Sequence, residues 1–172
     1  KQLHELYLEY TDLVEPLGLD ECWLDVTPSL RYLGKTGKQI ADEIREKVKE
    51  KFGFTVSVGV SFSKLFAKLG SDMKKPDATT VIPYEKFKEM TYDLPLNSIV
   101  GIGSRLTARF SKMNINTIGE FVCLKESFVK EIMGKTGVEL HQKLKGEFAE
   151  EVACYYHLVP PKSIGNGTTT IS

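Results

Sequence analysis

The stretch FTVSVGVSFSKLFAKLGSDMKKPDATTVI (54–82) carries the strongest fold signal in the chain. Apolar residues at every second position of 54–60 predict a strand with one apolar face and one small, polar face. A small face leaves room for a ligand, although ordinary solvent exposure explains it equally well. Residues 62–74 show the apolar spacing of a helix, and 79–82 predict a second strand. The order strand, helix, strand indicates helices layered on a sheet.

The preceding residues extend this layer. Residues 2–13 predict a helix, and a strand follows near Cys22. The next helix begins at Thr36, which has capping-box spacing to Gln39, and it ends at Gly53. Its apolar side chains recur every four residues, so this helix is predicted to lie on the sheet.

The character of the sequence changes near residue 94. Beyond that point strand signals almost vanish, and short helices alternate with Gly and Asn. We therefore predict an α+β fold with three parts. An α/β-layered domain spans 1–93, a small all-α domain with a helix–hairpin–helix spans 94–160, and a linker spans 161–172.

Composition narrows the possible functions. The chain has 172 residues, of which 41% are hydrophobic and 27% charged, as in globular proteins. The 23 acidic and 23 basic residues balance, so a nucleic-acid site would have to come from local clustering. No apolar run is long enough to cross a membrane. Three scattered cysteines without metal-site spacing predict reduced thiols and a cytoplasmic location.

The segment GLDECWLD (18–25) places Asp20 and Glu21 side by side where a strand begins. Adjacent side chains of a regular strand point to opposite faces, so two neighbouring carboxylates converge only where the strand begins or bends. Carboxylate oxygens are the ligands that Mg²⁺ prefers. A metal site and a pair of solvated acids both remain open at this point.

A line of polar side chains follows one face of the helix at 62–74; we call Lys64, Lys68, Ser71 and Lys75 the lysine stripe. Like charges at helical spacing repel each other unless an anion lies among them. The stripe therefore indicates either phosphate contacts or a solvated lysine face.

The segment VGIGSRLTARF (100–110) places two glycines before a helix. Glycine lets backbone approach a ligand closely, and a helix start offers free N–H groups to an anion. The pattern is typical of a helix–hairpin–helix, which holds DNA phosphates without reading sequence. The alternative is a plain tight turn between helices. The predicted DNA contacts, which we call the glycine turn, are Gly101, Ile102, Gly103, Ser104 and Arg105.

Together these segments resemble the Y-family (translesion) DNA polymerases of the DNA polymerase IV (DinB) or UmuC-like kind, the ImpB/MucB/SamB family. GLDECWLDVT (18–27) is similar to the family motif S-[IL]-D-E-[AC]-[FYW]-L-D, and residues 56–82 are similar to its lysine-rich palm segment. Residues 94–121 are similar to the opening of its thumb, and PKSIGNGTT (161–169) to its entry into the little finger.

The sequence departs from the family pattern at three places. Ser63 stands where Asn is common, Gly70 where Ala is usual, and Ala78 where Gly is usual. These changes leave the acids and lysines of the pattern in place.

The resemblance implies a partial polymerase palm followed by a thumb. It implies template-directed DNA synthesis past damaged bases in the DNA-damage (SOS) response, by two-metal nucleotidyl transfer from a dNTP to a primer 3′-OH. Asp20 and Glu21 would bind two Mg²⁺ ions, and Lys75 would neutralise the triphosphate. Lys64, Lys68 and the glycine turn would contact DNA.

The resemblance also implies partners and limits. Primer–template DNA and dNTP are the expected partners, with a sliding clamp met through a C-terminal region, no membrane and a monomeric state. A further metal-binding Asp and a steric-gate aromatic are expected before Lys1, so the chain alone is expected to be inactive. Three alternatives stay open: a non-catalytic scaffold relative, a DNA-binding module centred on 95–160, and another palm enzyme such as a nucleotide cyclase.

Overall fold

The computed structural model describes residues 2–158. Its helices are α1 (Gln2–Tyr7), α2 (Leu30–Leu33), α3 (Gly37–Phe52), α4 (Lys64–Met73), α5 (Phe87–Thr91), α6 (Ser104–Ser111), α7 (Ile118–Val122) and α8 (Glu126–Leu144), and its strands are β1 (Val14–Leu17), β2 (Glu21–Leu24), β3 (Val58–Ser61) and β4 (Thr79–Ile82). Short 3₁₀ turns cover Thr27–Ser29, Leu96–Ser98 and Tyr155–His157. The mixture of helix and strand confirms the predicted α+β character.

The unit β3–α4–β4 forms the centre of the fold. The two strands are parallel, with Val58 opposite Thr79 and Ser61 opposite Ile82, and α4 is the crossover between them. Ser63 caps α4 by accepting a hydrogen bond from the Phe66 amide. The predicted helix and second strand are confirmed. The first strand is shorter than expected, because residues 54–57 make no ladder with a neighbouring strand in the described chain.

A second two-stranded sheet precedes this unit. Strands β1 and β2 are antiparallel, with Val14 opposite Leu24 and Leu17 opposite Glu21. Here the sequence prediction was wrong: the first helix ends at Tyr7 rather than near residue 13, and β1 was missed. Pro16 lies within β1, opposite Cys22, and proline is compatible with a short edge strand.

Two glycines let α4 lie directly on β3. A Cβ on Gly59 would lie 1.8 Å from the carbonyl oxygen of Ala67, and a Cβ on Gly70 would lie 3.3 Å from the Gly59 Cα. At Gly59 the α4 backbone fills the space that a side chain would take, although Gly59 still borders an open cavity. Glycine is required there because helix backbone occupies the space where a side chain would lie.

Buried apolar residues form two clusters. One lies between α1, α3 and the first hairpin, around Leu6, Val14, Ile44 and Val48. The other includes Phe66 and Ile82 of the βαβ unit and continues into the helical segment through the following residues: Leu96, Ile99, Ile102, Phe110, Ile118, Phe121, Val129 and Leu144. The predicted division near residue 94 is therefore a change of secondary structure across which the core continues.

The predicted start and end of the long helix α3 are confirmed. The capping box between Thr36 and Gln39 begins α3, and Gly53 ends it in the left-handed conformation. A second capping box, Thr117 with Glu120, begins α7.

Within the described part of residues 94–158 the regular elements are helical, apart from an isolated bridge between Pro95 and Thr117. Helix α8 kinks at Gly134, whose backbone is not helical. Among residues 2–158 no helix has the length and apolarity needed to span a bilayer. The three cysteines, all in the described part of the chain, form no disulfide. The segment 161–169, predicted as the entry into the little finger, lies outside the described residues.

Candidate active site and DNA-contact segments

A cavity of about 380 Å³ lies between the β1–β2 hairpin on one side and β3 with α4 on the other. The charged residues on its wall are Asp20, Glu21, Lys68, Lys75 and Asp77. Thr55, Ser57 and Gly59 also line it, so the small face of the predicted strand does border an open space. The tertiary structure thus brings the predicted acids and two of the predicted lysines to one cavity.

Asp20 and Glu21 occupy the junction between a turn and a strand. Gly18 has a φ of +71° in the turn, which ends at Asp20, and Glu21 begins β2 opposite Leu17. The strand behind them is fixed by Trp23, whose indole N–H donates a hydrogen bond of 3.0 Å to the Lys64 carbonyl oxygen. Because Asp20 is outside the regular strand, both carboxylates can line the same cavity.

A chain of alternating charges runs from the acids along α4. The Lys68 ammonium lies 2.8 Å from Glu21 Oε1 and 2.7 Å from Asp72 Oδ2, and the Lys75 ammonium lies 2.8 Å from Asp72 Oδ1. Burial lowers the pKa of Lys68, but its hydrogen bonds to Asp72 and Glu21 outweigh burial and raise it. Lys68 therefore stays charged beside the Glu21 carboxylate.

Asp72 is the residue in this row of alternating charges that was not predicted from the sequence. Burial raises the pKa of its carboxyl, but the hydrogen bonds from Lys68 and Lys75 outweigh burial and lower it. Its signal was its position four residues after Lys68 and three before Lys75, a spacing that favours ion pairs on one helix face. Asp72 and Glu21 are thus the anions that Lys68 and Lys75 of the stripe meet.

Lys64 has a different environment from the other lysines. Its side chain is only 9% exposed, and its ammonium lies 2.6 Å from Glu15 Oε2. The same oxygen of Glu15 accepts a hydrogen bond from the Ala153 amide. This placement differs from the predicted DNA contact, because the Lys64 charge is used inside the protein to join α4, β1 and the segment after α8.

The cavity offers only part of a two-ion magnesium site. Two acidic residues, Asp20 and Glu21, line it, and Mg²⁺ is commonly held by one or two carboxylates together with substrate phosphates and water. No cluster of three or more potential metal ligands is present among residues 2–158. The carboxylates fit Mg²⁺ chemically, but a second ion needs ligands beyond this pair.

The glycine turn is anchored on one side and exposed on the other. Gly101 has a φ of +96°, and Ile102 is 4% exposed, with its amide donating to the Ile99 carbonyl oxygen. Ile102 therefore holds the turn to the core and has no free amide for a phosphate. Gly103, Ser104 and Arg105 are exposed at the start of α6.

The fold class that these observations define is a mixed α/β layer of polymerase-palm type with an attached helical segment. DinB from Sulfolobus solfataricus superposes with a TM-score of 0.79 at 28% identity, over 89% of this chain and 45% of that one. The insertion ternary complex of Dbh DNA polymerase gives a TM-score of 0.79 at 28% identity, over 88% of this chain and 44% of that one.

Sequence comparisons identify the family. Residues 1–72 match the impB/mucB/samB family. DNA polymerase IV of Acetivibrio thermocellus is 45% identical over 169 residues, which is 98% of this chain and 42% of that protein. DNA polymerase IV of Moorella thermoacetica is 36% identical over 154 residues, 83% of this chain and 38% of that protein.

The chain belongs to the DinB-like Y-family DNA polymerases. It spans less than half the length of the curated relatives that it matches.

Proposed function

We propose that the full-length protein carrying this chain is a DNA-directed DNA polymerase that synthesises DNA past damaged bases, by nucleotidyl transfer from a dNTP to a primer 3′-OH. The observation that carries the proposal is the convergence of Asp20, Glu21 and Lys75 on one cavity, in a chain 45% identical to a DNA polymerase IV. A non-catalytic scaffold relative would not need to keep this carboxylate pair.

In this proposal each charged group at the cavity has a defined task. Asp20 and Glu21 would supply oxygen ligands to Mg²⁺, which when bound activates the attacking hydroxyl and neutralises phosphate charge. Lys75 would attract the triphosphate, since its side chain is 54% exposed at the cavity. Lys68 holds Glu21 in place through their ion pair.

Primer–template DNA and dNTP are the proposed partners. Two of the similar structures are titled as ternary complexes of Dbh, one of them an insertion complex, which supports this assignment by analogy. We propose that Gly103, Ser104 and Arg105 contact the DNA backbone as the hairpin of a helix–hairpin–helix thumb. Their exposure beside an anchored Ile102 supports that role. A clamp contact, a monomeric state and a cytoplasmic location remain predictions.

The 172-residue chain by itself is proposed to be inactive. Two carboxylates are too few for the two ions of nucleotidyl transfer, and its relatives are more than twice as long. Templated synthesis by this chain alone would refute that point.

Primer extension by the full-length protein with Mg²⁺ tests the proposal. Asp20→Ala and Glu21→Ala should each reduce extension by at least about a hundredfold while the circular dichroism spectrum stays unchanged. Glu89→Ala, which removes an exposed carboxylate on α5, is the matched control and should extend normally. Normal extension by both site variants, or an inactive wild-type protein, would favour the scaffold alternative.

A further inference from the structure

The loop between α4 and β4 presents Lys75 to the cavity, and its conformation is unusual. Asp77, two residues after Lys75, has a φ of +51°. Residues other than glycine adopt this left-handed conformation uncommonly. Contacts outside the loop must therefore stabilise it.

Arg45 of α3 makes those contacts. Its Nη2 donates to the Asp77 carbonyl oxygen and, at 2.8 Å, to Asp77 Oδ1. Its Nη1 donates at 3.2 Å to Thr79 Oγ1, where β4 begins. The planar, rigid fork of guanidinium suits such a set of acceptors, which a lysine ammonium cannot satisfy in the same way.

The contact is sheltered and charged. The Arg45 side chain is 16% exposed and the Asp77 side chain 26%. The hydrogen bond from Arg45 lowers the pKa of the Asp77 carboxyl, so the pair stays ionised at neutral pH. Lys49 lies 3.5 Å from the other carboxylate oxygen, at the limit of an ion pair and with a side chain that is 55% exposed.

The far end of the loop is fixed as well. The Val58 amide donates to the Ala78 carbonyl oxygen at 2.8 Å, which joins the loop to the start of β3. Lys75 itself bonds only to Asp72 of the preceding helix among the described residues. Lys75 is thus held to α4 on one side, and on the other its backbone continues into residues 76–78, the segment in which Arg45 holds Asp77.

We propose that Arg45 is a positioning residue for triphosphate binding. By holding Asp77 and Thr79, it fixes the backbone from which Lys75 reaches the cavity, although Arg45 is absent from the cavity wall. This inference rests on the proposed function, because it takes Lys75 as a contact of the triphosphate. A purely structural Arg45 would stabilise the protein without affecting dNTP binding.

The test is steady-state dNTP incorporation by the full-length protein, with KM and kcat measured separately. Arg45→Lys keeps the charge but loses the fork. It should raise KM for dNTP about tenfold, as expected for one lost hydrogen bond to a charged group, with a smaller change in kcat. Lys49→Ala is the matched control at the same carboxylate and should leave KM unchanged.

A double-variant comparison separates positioning from general damage. Lys75→Ala should raise KM about tenfold, and adding Arg45→Lys to it should raise KM no further, because both changes remove one interaction. Asp77→Asn keeps both acceptors and tolerates the left-handed conformation, so its KM should be lower than that of Asp77→Ala. If Arg45→Lys does not fold, Asp77→Ala removes one of the same hydrogen bonds from the loop side and should raise KM in its place.

The outcomes distinguish the two proposals. If Lys75→Ala raises KM while Arg45→Lys does not, or if the two effects multiply, Arg45 does not act through Lys75 and the inference is overturned. If Lys75→Ala leaves KM unchanged, or the wild-type protein does not polymerise, the proposed function of the site fails.

Discussion

Replacing Gly59 by alanine should disrupt the contact between β3 and α4. The new Cβ would lie 1.8 Å from the Ala67 carbonyl oxygen and 2.6 Å from the Ser71 amide nitrogen. Both are backbone atoms, so no side chain can rotate away. The helix would have to retreat by more than about 1 Å while carrying Phe66, which is fully buried. Overpacking costs about 1–3 kcal/mol and occasionally more, and we expect about 3–4 kcal/mol here.

Gly70→Ala is the matched control, because it adds the same methyl group at the same contact from the other side. Its Cβ would lie 3.3 Å from both the Gly59 Cα and Ile82 Cδ1, a distance that small adjustments relieve. Alanine also gains up to about 1 kcal/mol over glycine inside a helix. The free energy of unfolding should therefore change by less than about 1 kcal/mol in either direction.

The assay is urea unfolding of the 172-residue chain followed by tryptophan fluorescence. Trp23 is the only tryptophan in the sequence, and its indole bonds to the first residue of α4, so its fluorescence reports on the position of this helix. Equal stabilities of the Gly59→Ala and Gly70→Ala variants would refute the close approach of helix and strand.

Two further predictions concern charge. Burial raises the pKa of Glu15, but the hydrogen bonds from Lys64 and the Ala153 amide outweigh burial and lower it below 4.5. The ionised Glu15 therefore stabilises the folded protein above pH 4.5, and this contribution is lost as the pH falls through the folded-state pKa. In the Glu15→Gln variant, the free energy of unfolding should therefore decrease less between neutral and acidic pH than in the wild type. Equal pH dependence of the unfolding free energy in variant and wild type would contradict this. The second prediction concerns DNA binding by the full-length protein, measured by fluorescence anisotropy at several salt concentrations. Arg105→Ala should reduce the magnitude of the slope of log K against log[salt] by about 1, because one phosphate contact is lost. Lys112→Ala is the control. An unchanged slope would remove Arg105 from the phosphate contacts.

Much of the helical structure was predictable because its signals are local. A capping box at Thr36 and a left-handed glycine at Gly53 bound α3, and both act within one turn of the helix that they delimit. Strand β4 was predicted with its observed bounds, Thr79–Ile82. Strand β1 was missed because its evidence lies in a partner: Pro16 suggests a break until it is paired with Cys22 across the hairpin.

The lysine stripe shows the limit of the sequence most clearly. Spacing along α4 placed Lys64 and Lys68 on one face, but it could not identify the anions they meet. Glu15 and Glu21, which supply those anions, lie 49 and 47 residues away along the chain. One lysine consequently joins α4 to β1, while the other lies at the cavity beside the acids.

The sequence by itself determined where most helices and strands form, the adjacent acids at 20–21 and the family resemblance. Each of these depends on residues that are close together in the chain. The tertiary structure alone decided which groups meet: Gly59 with the backbone of α4, Lys64 with Glu15, and Arg45 with Asp77. Those contacts depend on how the hairpin, the βαβ unit and α3 pack together. Packing is a property of whole surfaces, and the spacing of residues along one segment does not encode it.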